Sequence, residues 1–245
     1  MVRLHRAKSK AIDTPMNISI RPLETMEDFR ACEDLQRRVW ALPDNLDVVP
    51  LHLLVAVQRS GGLLLGAFDG EEIVGFVFGF LGSAAGKRLK HSSHMMGVAP
   101  GYQGLGIGYR LKLAQREHAL EDGLDLVTWT YDPLESRNAY LNIHKLGALC
   151  RTYIRDYYGP MTDGLNVGLP SDRFQVEWWI ASKSVARRLA GESSARVSGS
   201  AFQVNATAHT VEGLLMPGSL ILDADAPLIQ LEIPADYQAI KVADP

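Results

Sequence analysis

The sequence predicts an α+β fold: a mostly antiparallel central sheet flanked by helices, followed by a β-rich C-terminal extension. Three observations point there. Two apolar runs, 63–68 and 72–81, joined by Asp69-Gly70-Glu71, read as an antiparallel hairpin. Stretches with helical apolar spacing lie between further short β-prone runs. Beyond Ser182 the chain becomes small and polar and then alternates short β-prone stretches with turn residues.

Taken in order, 17–23 reads as a strand, and Thr25-x-x-Asp28 is a capping box ahead of Phe29, Cys32, Leu35 and Val39 at helical spacing. A second short helix is expected over 51–58, ended by Gly61-Gly62. After the hairpin, a loop carrying Lys87, Arg88 and Lys90 leads into a fourth strand, 91–98. A glycine-rich turn then opens a helix over 106–121, which Asp122-Gly123 closes. A fifth strand over 124–131, a helix over 136–146 stopped by Gly147, and a sixth strand over 148–157 follow. A polar loop, 159–172, precedes a β-rich run, 173–181, holding Trp178 and Trp179. In the extension, a short helix is expected over 184–190 and strands within 202–233, with turns at Pro217-Gly218 and Pro227. Asp244-Pro245 has the form of a further helix start. The division is therefore a tail 1–16, a main domain 17–182 and an extension 183–245.

With 47% hydrophobic and 22% charged residues, the chain is long enough to bury a core without disulfide or metal. Cys32 and Cys150 lack a CxxC, a CxxxC or a nearby histidine and read as small buried hydrophobes, so neither metal nor redox chemistry is expected. Every apolar run falls short of the roughly 18 residues of a membrane helix, and the start lacks a secretory apolar core. A cytoplasmic protein without a membrane partner is the expectation. The formal net charge of −3 gives no general attraction for nucleic acid, although Arg3, Arg6, Lys8 and Lys10 make the tail locally basic.

The informative segment is Val98-Ala-Pro-Gly-Tyr-Gln103-Gly104-Leu105-Gly106-Ile107-Gly108. A glycine-rich turn between strand and helix is an anion site, because free backbone N–H groups and the positive end of the helix dipole converge there. The dinucleotide spacing GxGxxG fails in both frames, since its last position holds Tyr109 or Leu111, and the Gly-Lys-Ser/Thr of a Walker loop is absent. Gln103-x-x-Gly106-x-Gly108 after a strand ending at Val98 instead resembles motif A of the GNAT superfamily of acyl-CoA N-acyltransferases. The resemblance in element order extends over about 17–181.

That resemblance implies a coenzyme A thioester, acetyl-CoA or succinyl-CoA, as co-substrate and no metal. Gln103, Gly104, Leu105, Gly106, Ile107 and Gly108 would cradle its pyrophosphate. The fourth and fifth strands would splay around the pantetheine, and backbone N–H groups near Met96 and Val98 would meet the thioester carbonyl. Asn138, in the stretch Asp132-Pro-Leu-Glu-Ser-Arg-Asn138-Ala, is the candidate pantetheine contact, against the alternative of a local backbone bond. Where many members carry the tyrosine that protonates the departing thiolate, four residues before the glycine ending this helix, the chain has Ile143. Tyr140, Asn142, His144 or a water are the replacements to consider, with Tyr140 put forward.

A base is needed as well. An aliphatic amine with a pKa of about 10 is neutral in about one molecule per thousand at pH 7, so the nucleophile costs about 4 kcal/mol. Simple alternation puts Ser92, His94, Met96 and Val98 on one face of the fourth strand. A histidine base of the arylalkylamine branch falls at His94, which is the leading candidate, with His91 behind it; the bland alternative is a hydrogen-bonded strand histidine. The 159–172 loop, with Asn166, is expected to wall the acceptor pocket. Arg173 either holds an acceptor carboxylate or pairs with Asp172. Trp129, Tyr131, Trp178 and Trp179 read as packing. The stretch 156–178 resembles a larger bacterial GNAT subgroup in which some members are amino-acid N-succinyltransferases. The leading reading is acyl transfer to a primary amine of a small molecule, possibly as a homodimer. The rival is a non-catalytic acyl-CoA sensor or dimerisation module, suggested by Ile143.

Overall fold

The computed structural model describes residues 17–42, 47–160, 170–192, 201–210, 213–223 and 225–243; the basic tail, Asn166 and Asp244-Pro245 lie outside them. The elements run β1 (Ile18–Pro22), α1 (Met26–Trp40), α2 (Leu51–Arg59), β2 (Leu63–Asp69), β3 (Glu72–Ser83), β4 (Leu89–Val98), α3 (Ile107–Glu121), β5 (Val127–Tyr131) and α4 (Ser136–Ala139). Then come β6 (Leu149–Ile154), β7 (Arg173–Trp178), α5 (Lys183–Leu189), β8 (Phe202–Gln203), β9 (Asn205–His209), β10 (Leu215–Leu220), β11 (Ile229–Gln230) and α6 (Tyr237–Ala243).

Strands β1 to β7 form one seven-stranded sheet, ordered β1-β2-β3-β4-β5-β7-β6. Every neighbouring pair is antiparallel except β4 and β5. β2 and β3 are apolar at nearly every position because both faces are covered. Leu64, Phe68, Phe76 and Phe78 pack under α1 and α2, while Leu63, Leu65, Val74 and Val77 pack against Ile107 and Leu111 of α3. A third core joins Ala119 of α3 and Val185 of α5 to Val127, Val176 and Trp178. Trp129 and Trp178 meet edge to face at 6.0 Å; Trp178 is fully buried packing, whereas Trp129 is only partly covered. Cys32 is fully buried, as expected, but Cys150 is only half-buried.

Three local expectations are corrected. The helix over 136–146 is α-helical only to Ala139 and continues as a π-helix from Tyr140 to Lys145. Such a wide turn leaves no mark on apolar periodicity that a short segment reveals. Pro217-Gly218 is not a turn: both residues lie inside β10, at a bulge in its pairing with β9. Proline is tolerated there because β10 has β9 as its only neighbour in that two-stranded sheet. The turn between these strands is instead closed by Thr210, whose hydroxyl and carbonyl accept from Leu214 and Gly213. α6 was not foreseen, although Asp236 accepts from the Ala239 N–H as a helix-start residue does. Around it, Ser136 Oγ donates to the Ala235 carbonyl at 2.6 Å, Gln238 donates to Glu135, and Arg137 faces Asp236, so the end of the extension docks on α4.

The start of α1 is built as its sequence requires. Thr25 Oγ1 accepts from the Asp28 N–H, and the Asp28 carboxylate accepts from the Glu24 and Thr25 N–H groups and from both terminal nitrogens of Arg21, at 2.8 and 2.9 Å. These bonds, chiefly the one from Arg21, hold the Asp28 carboxyl well below the ordinary carboxylate range. A carboxyl so depressed contributes stability above its unfolded pKa of about 3.9, and that contribution is lost as the pH falls. Asp28→Asn is therefore expected to lower the urea-unfolding free energy by about 1 to 2 kcal/mol at pH 7, a value discounted for the exposure of Arg21. The difference from the unaltered chain should shrink steadily below about pH 4.

Candidate active site

The site is made by a break in the sheet. β4 and β5 pair only at His91↔Val127 and Ser92↔Thr128, with one further bond from the His91 N–H to the Leu126 carbonyl. Past those residues the two strands part. The cause lies on the other side of β4, where Phe78 pairs with Met95 but Gly79 pairs with Ser93, leaving His94 as an extra residue in a bulge. A bulge bends its strand and disrupts the ladder locally.

The bulge also corrects the alternation. Met96 and Val98 pack on the α3 side with Val77, and Ser93 accepts a hydrogen bond from α3. His94 instead lies edge-on to Phe78 at 5.8 Å and beside Phe80 at 6.0 Å, on the side of α1 and α2. His94 and Ser92 thus share one face, and Met96 and Val98 the other. One inserted residue inverts every side chain beyond it.

A cleft of about 280 Å³ opens where the strands diverge, lined by Ser92, Ser93 and His94 of β4, Thr128, Trp129 and Thr130 of β5, and by Phe80, Lys90, Tyr157, Tyr158 and Gln175. His94 is exposed in it and makes no hydrogen bond among the described residues. Its apolar neighbours lower its pKa by desolvation, which favours the neutral imidazole, with one ring nitrogen carrying the proton and the other able to accept one. Lys90, one of the three loop cations, points into the cleft, whereas Arg88 pairs with Asp125 and covers Trp179.

β4 ends at Val98 and the glycine turn follows at once. Gln103 Nε2 donates to the Val98 carbonyl at 3.2 Å, closing the turn on the strand. Gly104 and Gly106 have φ of +80° and +79°, and a Cβ on either would meet nothing within 4 Å. Glycine is needed there for backbone conformation and leaves open space above the turn. Gly106 is the residue before α3 and supplies no side-chain cap, so the first N–H groups of the helix are left to an outside partner. Residues Gln103 to Gly106 are exposed, Ile107 is buried under the sheet, and a Cβ on Gly108 would touch Met96 at 3.4 Å. The turn therefore fits an anionic group of a bound molecule and joins directly to the parted strands.

The remaining candidates are spread more widely. Asn138 is exposed on α4, its N–H bonded to the Glu135 carbonyl. Tyr140 is exposed, stacked on His144 at 4.7 Å, and does not line the cleft. Ile143 faces a separate cavity of about 540 Å³ beside α5, lined by Gly147, Trp179 and Arg188. That cavity is larger than the cleft but lies away from the strand break and the glycine turn. Arg173 is buried at the start of β7. Its Nη1 donates to the Asp172 carbonyl and its guanidinium lies 5.4 Å from the Tyr158 ring, so it backs the cleft wall without lining it. The Asp172 carboxylate is held by the Tyr153 hydroxyl and the Asp156 N–H. No group of three or more metal-ligating side chains occurs among the described residues, and no described helix is long and apolar enough to cross a membrane.

One cluster went unread in the sequence. Lys112 and Gln115 lie on the buried stripe of α3 with Ile107, Leu111 and Ala119, and they join Ser93 and His91 beneath the cleft. Their spacing along α3 was the available signal.

Comparison with solved structures returns this same architecture. The ribosomal-protein-S18-alanine N-acetyltransferase from Escherichia coli aligns with a TM-score of 0.53 at 19% identity, covering 67% of this chain and 95% of that one. An acetyltransferase of the GNAT family from Streptococcus pneumoniae gives 0.54 at 16%, covering 66% and 98%. NAA60 from Arabidopsis thaliana, in complex with acetyl-CoA, gives 0.53 at 15%, covering 66% and 99%. At such identities the likeness speaks for the fold. A search of curated proteins gives no match. The model of the Acetyltransferase (GNAT) family matches residues 23–147, just over half of the sequence and the whole run from α1 through the glycine turn to the π-helix. The chain belongs to the GNAT acetyltransferase family.

Proposed function

We propose that the protein transfers an acetyl or succinyl group from a coenzyme A thioester to the primary amine of a small molecule such as an amino acid. The observation that carries this reading is the coincidence of the β4–β5 break with the glycine turn: the strand that parts from its neighbour is the one that runs into the open helix start. Acyl transfer from a coenzyme A thioester is the chemistry of the family. The residues of this chain divide the work of binding and proton handling.

In this proposal the N–H groups of the turn from Gln103 to Gly108 hold the pyrophosphate, each charge-assisted bond contributing about 1.5 to 3 kcal/mol. The backbone at Met96 to Val98, unpaired on its β5 side, supplies donors for the thioester carbonyl, and Asn138 contacts the pantetheine. His94 accepts the proton of the attacking amine, and no acyl-enzyme is formed. Arg173 serves the acceptor side through Tyr158. A cleft of about 280 Å³ lies near the lower end of small-ligand sites, which favours a compact amine over a peptide. Lys90 at its rim favours an acceptor or acyl group that carries a carboxylate.

A thiol-release assay with acetyl-CoA and succinyl-CoA against a panel of amino acids and amines tests the reading. Release with at least one pair is expected, and coenzyme A binding without any turnover would replace the enzyme by an acyl-CoA sensor. Gly106→Glu, which puts a carboxylate where the pyrophosphate should sit, is expected to weaken coenzyme A binding at least about 100-fold by calorimetry, with an unchanged circular dichroism spectrum. His94→Ala is expected to lower kcat by about 100-fold and to remove the fall in kcat on the acid side of the pH profile. An unchanged acid limb would exclude His94 as the sole base.

A further inference from the structure

Directly beneath the strand break lies a lysine almost wholly shut off from solvent. Lys112, on the second turn of α3, is 2% exposed. Its Nζ donates to Ser93 Oγ at 2.8 Å and to Gln115 Oε1 at 3.0 Å, and it lies 3.8 Å from the centroid of the Trp129 ring. Gln115 Nε2 in turn lies 3.1 Å from Nε2 of His91, itself 2% exposed. Room for that imidazole comes from Gly79 across the strand pair, where a Cβ would lie 2.2 Å from the same nitrogen.

Burying a cationic side chain without a carboxylate is expensive, and an ordinary packing position on a sheet-facing helix would hold an apolar residue. What singles out this lysine is where its hydrogen bond leads. Ser93 and Trp129, the two groups that touch Nζ from β4 and β5, both line the cleft above. They stand on either side of the line along which the strands part, since His91↔Val127 and Ser92↔Thr128 are the last paired positions. Ser93 Oγ is thus the one hydrogen-bonded bridge from Nζ to the cleft among the described residues.

We propose that Ser93 and Lys112 form the proton-donating arm of this site: Lys112 stores a proton beneath the sheet, and Ser93 passes it to the thiolate that departs when the thioester is cleaved. This rests on the acyl-transfer reading and supplies the acid that Ile143 does not. As the tetrahedral adduct collapses, the carbon–sulfur bond breaks and its electron pair goes to sulfur. The Ser93 hydroxyl proton moves to sulfur while Ser93 Oγ takes a proton from Lys112 Nζ, which becomes a neutral amine. The proton lost by the attacking amine goes to His94 and on to water, and Lys112 regains its own from water through the emptied cleft. The products are an amide and a thiol, with no other reactant.

The proton affinities support this direction. Burial draws Lys112 down to about 7, against about 8.5 for a free thiol, so transfer to the departing sulfur runs downhill; for an ordinary lysine near 10.4 it would run uphill. The groups facing Lys112 come from three elements: Ser93 and His91 from β4, Trp129 from β5, and Gln115 from α3 itself. His91 is drawn down to about 4 by burial, by Lys112 and by His118, so it stays neutral at neutral pH. His118 faces Asp122 at 3.3 Å, and burial is the only cause acting on Lys112 itself. Because Lys112 acts through Ser93, it is a positioning residue, and Ser93 is the group that meets the leaving atom.

The test uses the full chain labelled with carbon-13 at the lysine ε-carbons, followed by NMR as a function of pH, together with steady-state acetyl-CoA turnover on the best acceptor of the panel. One lysine signal should titrate near pH 7 and be missing from Lys112→Met. In the unaltered enzyme kcat should fall on the basic side of the profile as Lys112 loses its proton. Lys112→Met should lower kcat by about 10- to 100-fold and abolish that basic limb, with coenzyme A affinity within about twofold. Ser93→Ala, which keeps the lysine but cuts its bridge, should do the same and stands in if Lys112→Met does not fold. Titration of every lysine near pH 10, or a basic limb that survives in Ser93→Ala, overturns the proposal while leaving acyl transfer intact. An unaltered chain that binds coenzyme A yet releases no thiol with any acceptor overturns both.

Discussion

The extra residue in β4 is the constraint on which the functional half of the molecule depends. A strand in the interior of a sheet normally pairs on both edges, because unpaired backbone groups away from water are costly. Here β4 pairs with β3 on both sides of the bulge but loses β5 after Ser92. The bulge at His94 bends the strand and turns Met95 toward the α1–α2 core while returning Met96 and Val98 to the α3 core, so both hydrophobic layers remain filled. The sheet thus gains a row of free backbone groups, an exposed histidine and an opening toward α3, with no loss of packing on either face.

Much of this was legible in one dimension. The hairpin of β2 and β3, the capping box of α1, and the strand–turn–helix around Gly106 each rest on short-range chemistry. A left-handed glycine, a Thr-x-x-Asp pair and a two-sided apolar strand leave local signatures. What escaped reading depends on long-range register. No residue at 93–95 announces a bulge, since its position follows from how β4 must pair with both halves of β3. Alternation therefore put His94 on the wrong side of Met96. The π-helix has the same character. Counting back from Gly147 in α-helical steps identifies Ile143 as the place of the family's acid, but a wider turn changes the phase of the side chains, and Ile143 faces a different cavity. The buried lysine was missed for another reason: a cation inside an apolar stripe resembles an ordinary surface position until the partners that surround it are known.

The extension joins the core only through α5, whose Val185 is buried there, and adds little to it beyond that helix. Its small sheets, β8 with β11 and β9 with β10, are largely exposed, and Leu220, Leu222 and Leu231 remain uncovered on them or beside them. Its further contacts lie at the end, where the start of α6 meets Glu135, Ser136 and Arg137. Those residues open the helix that carries Asn138, so the extension touches the main domain beside a residue proposed to contact the donor.

α3 carries the glycine turn at its first residue and Lys112 little more than one turn later, about 7 Å along a rigid rod. One stiff element thus sets the distance between the open turn and the cation beneath the cleft. A displacement of α3 along its axis carries both ends of that span together, so the floor of the cleft cannot be re-aimed without re-aiming the turn.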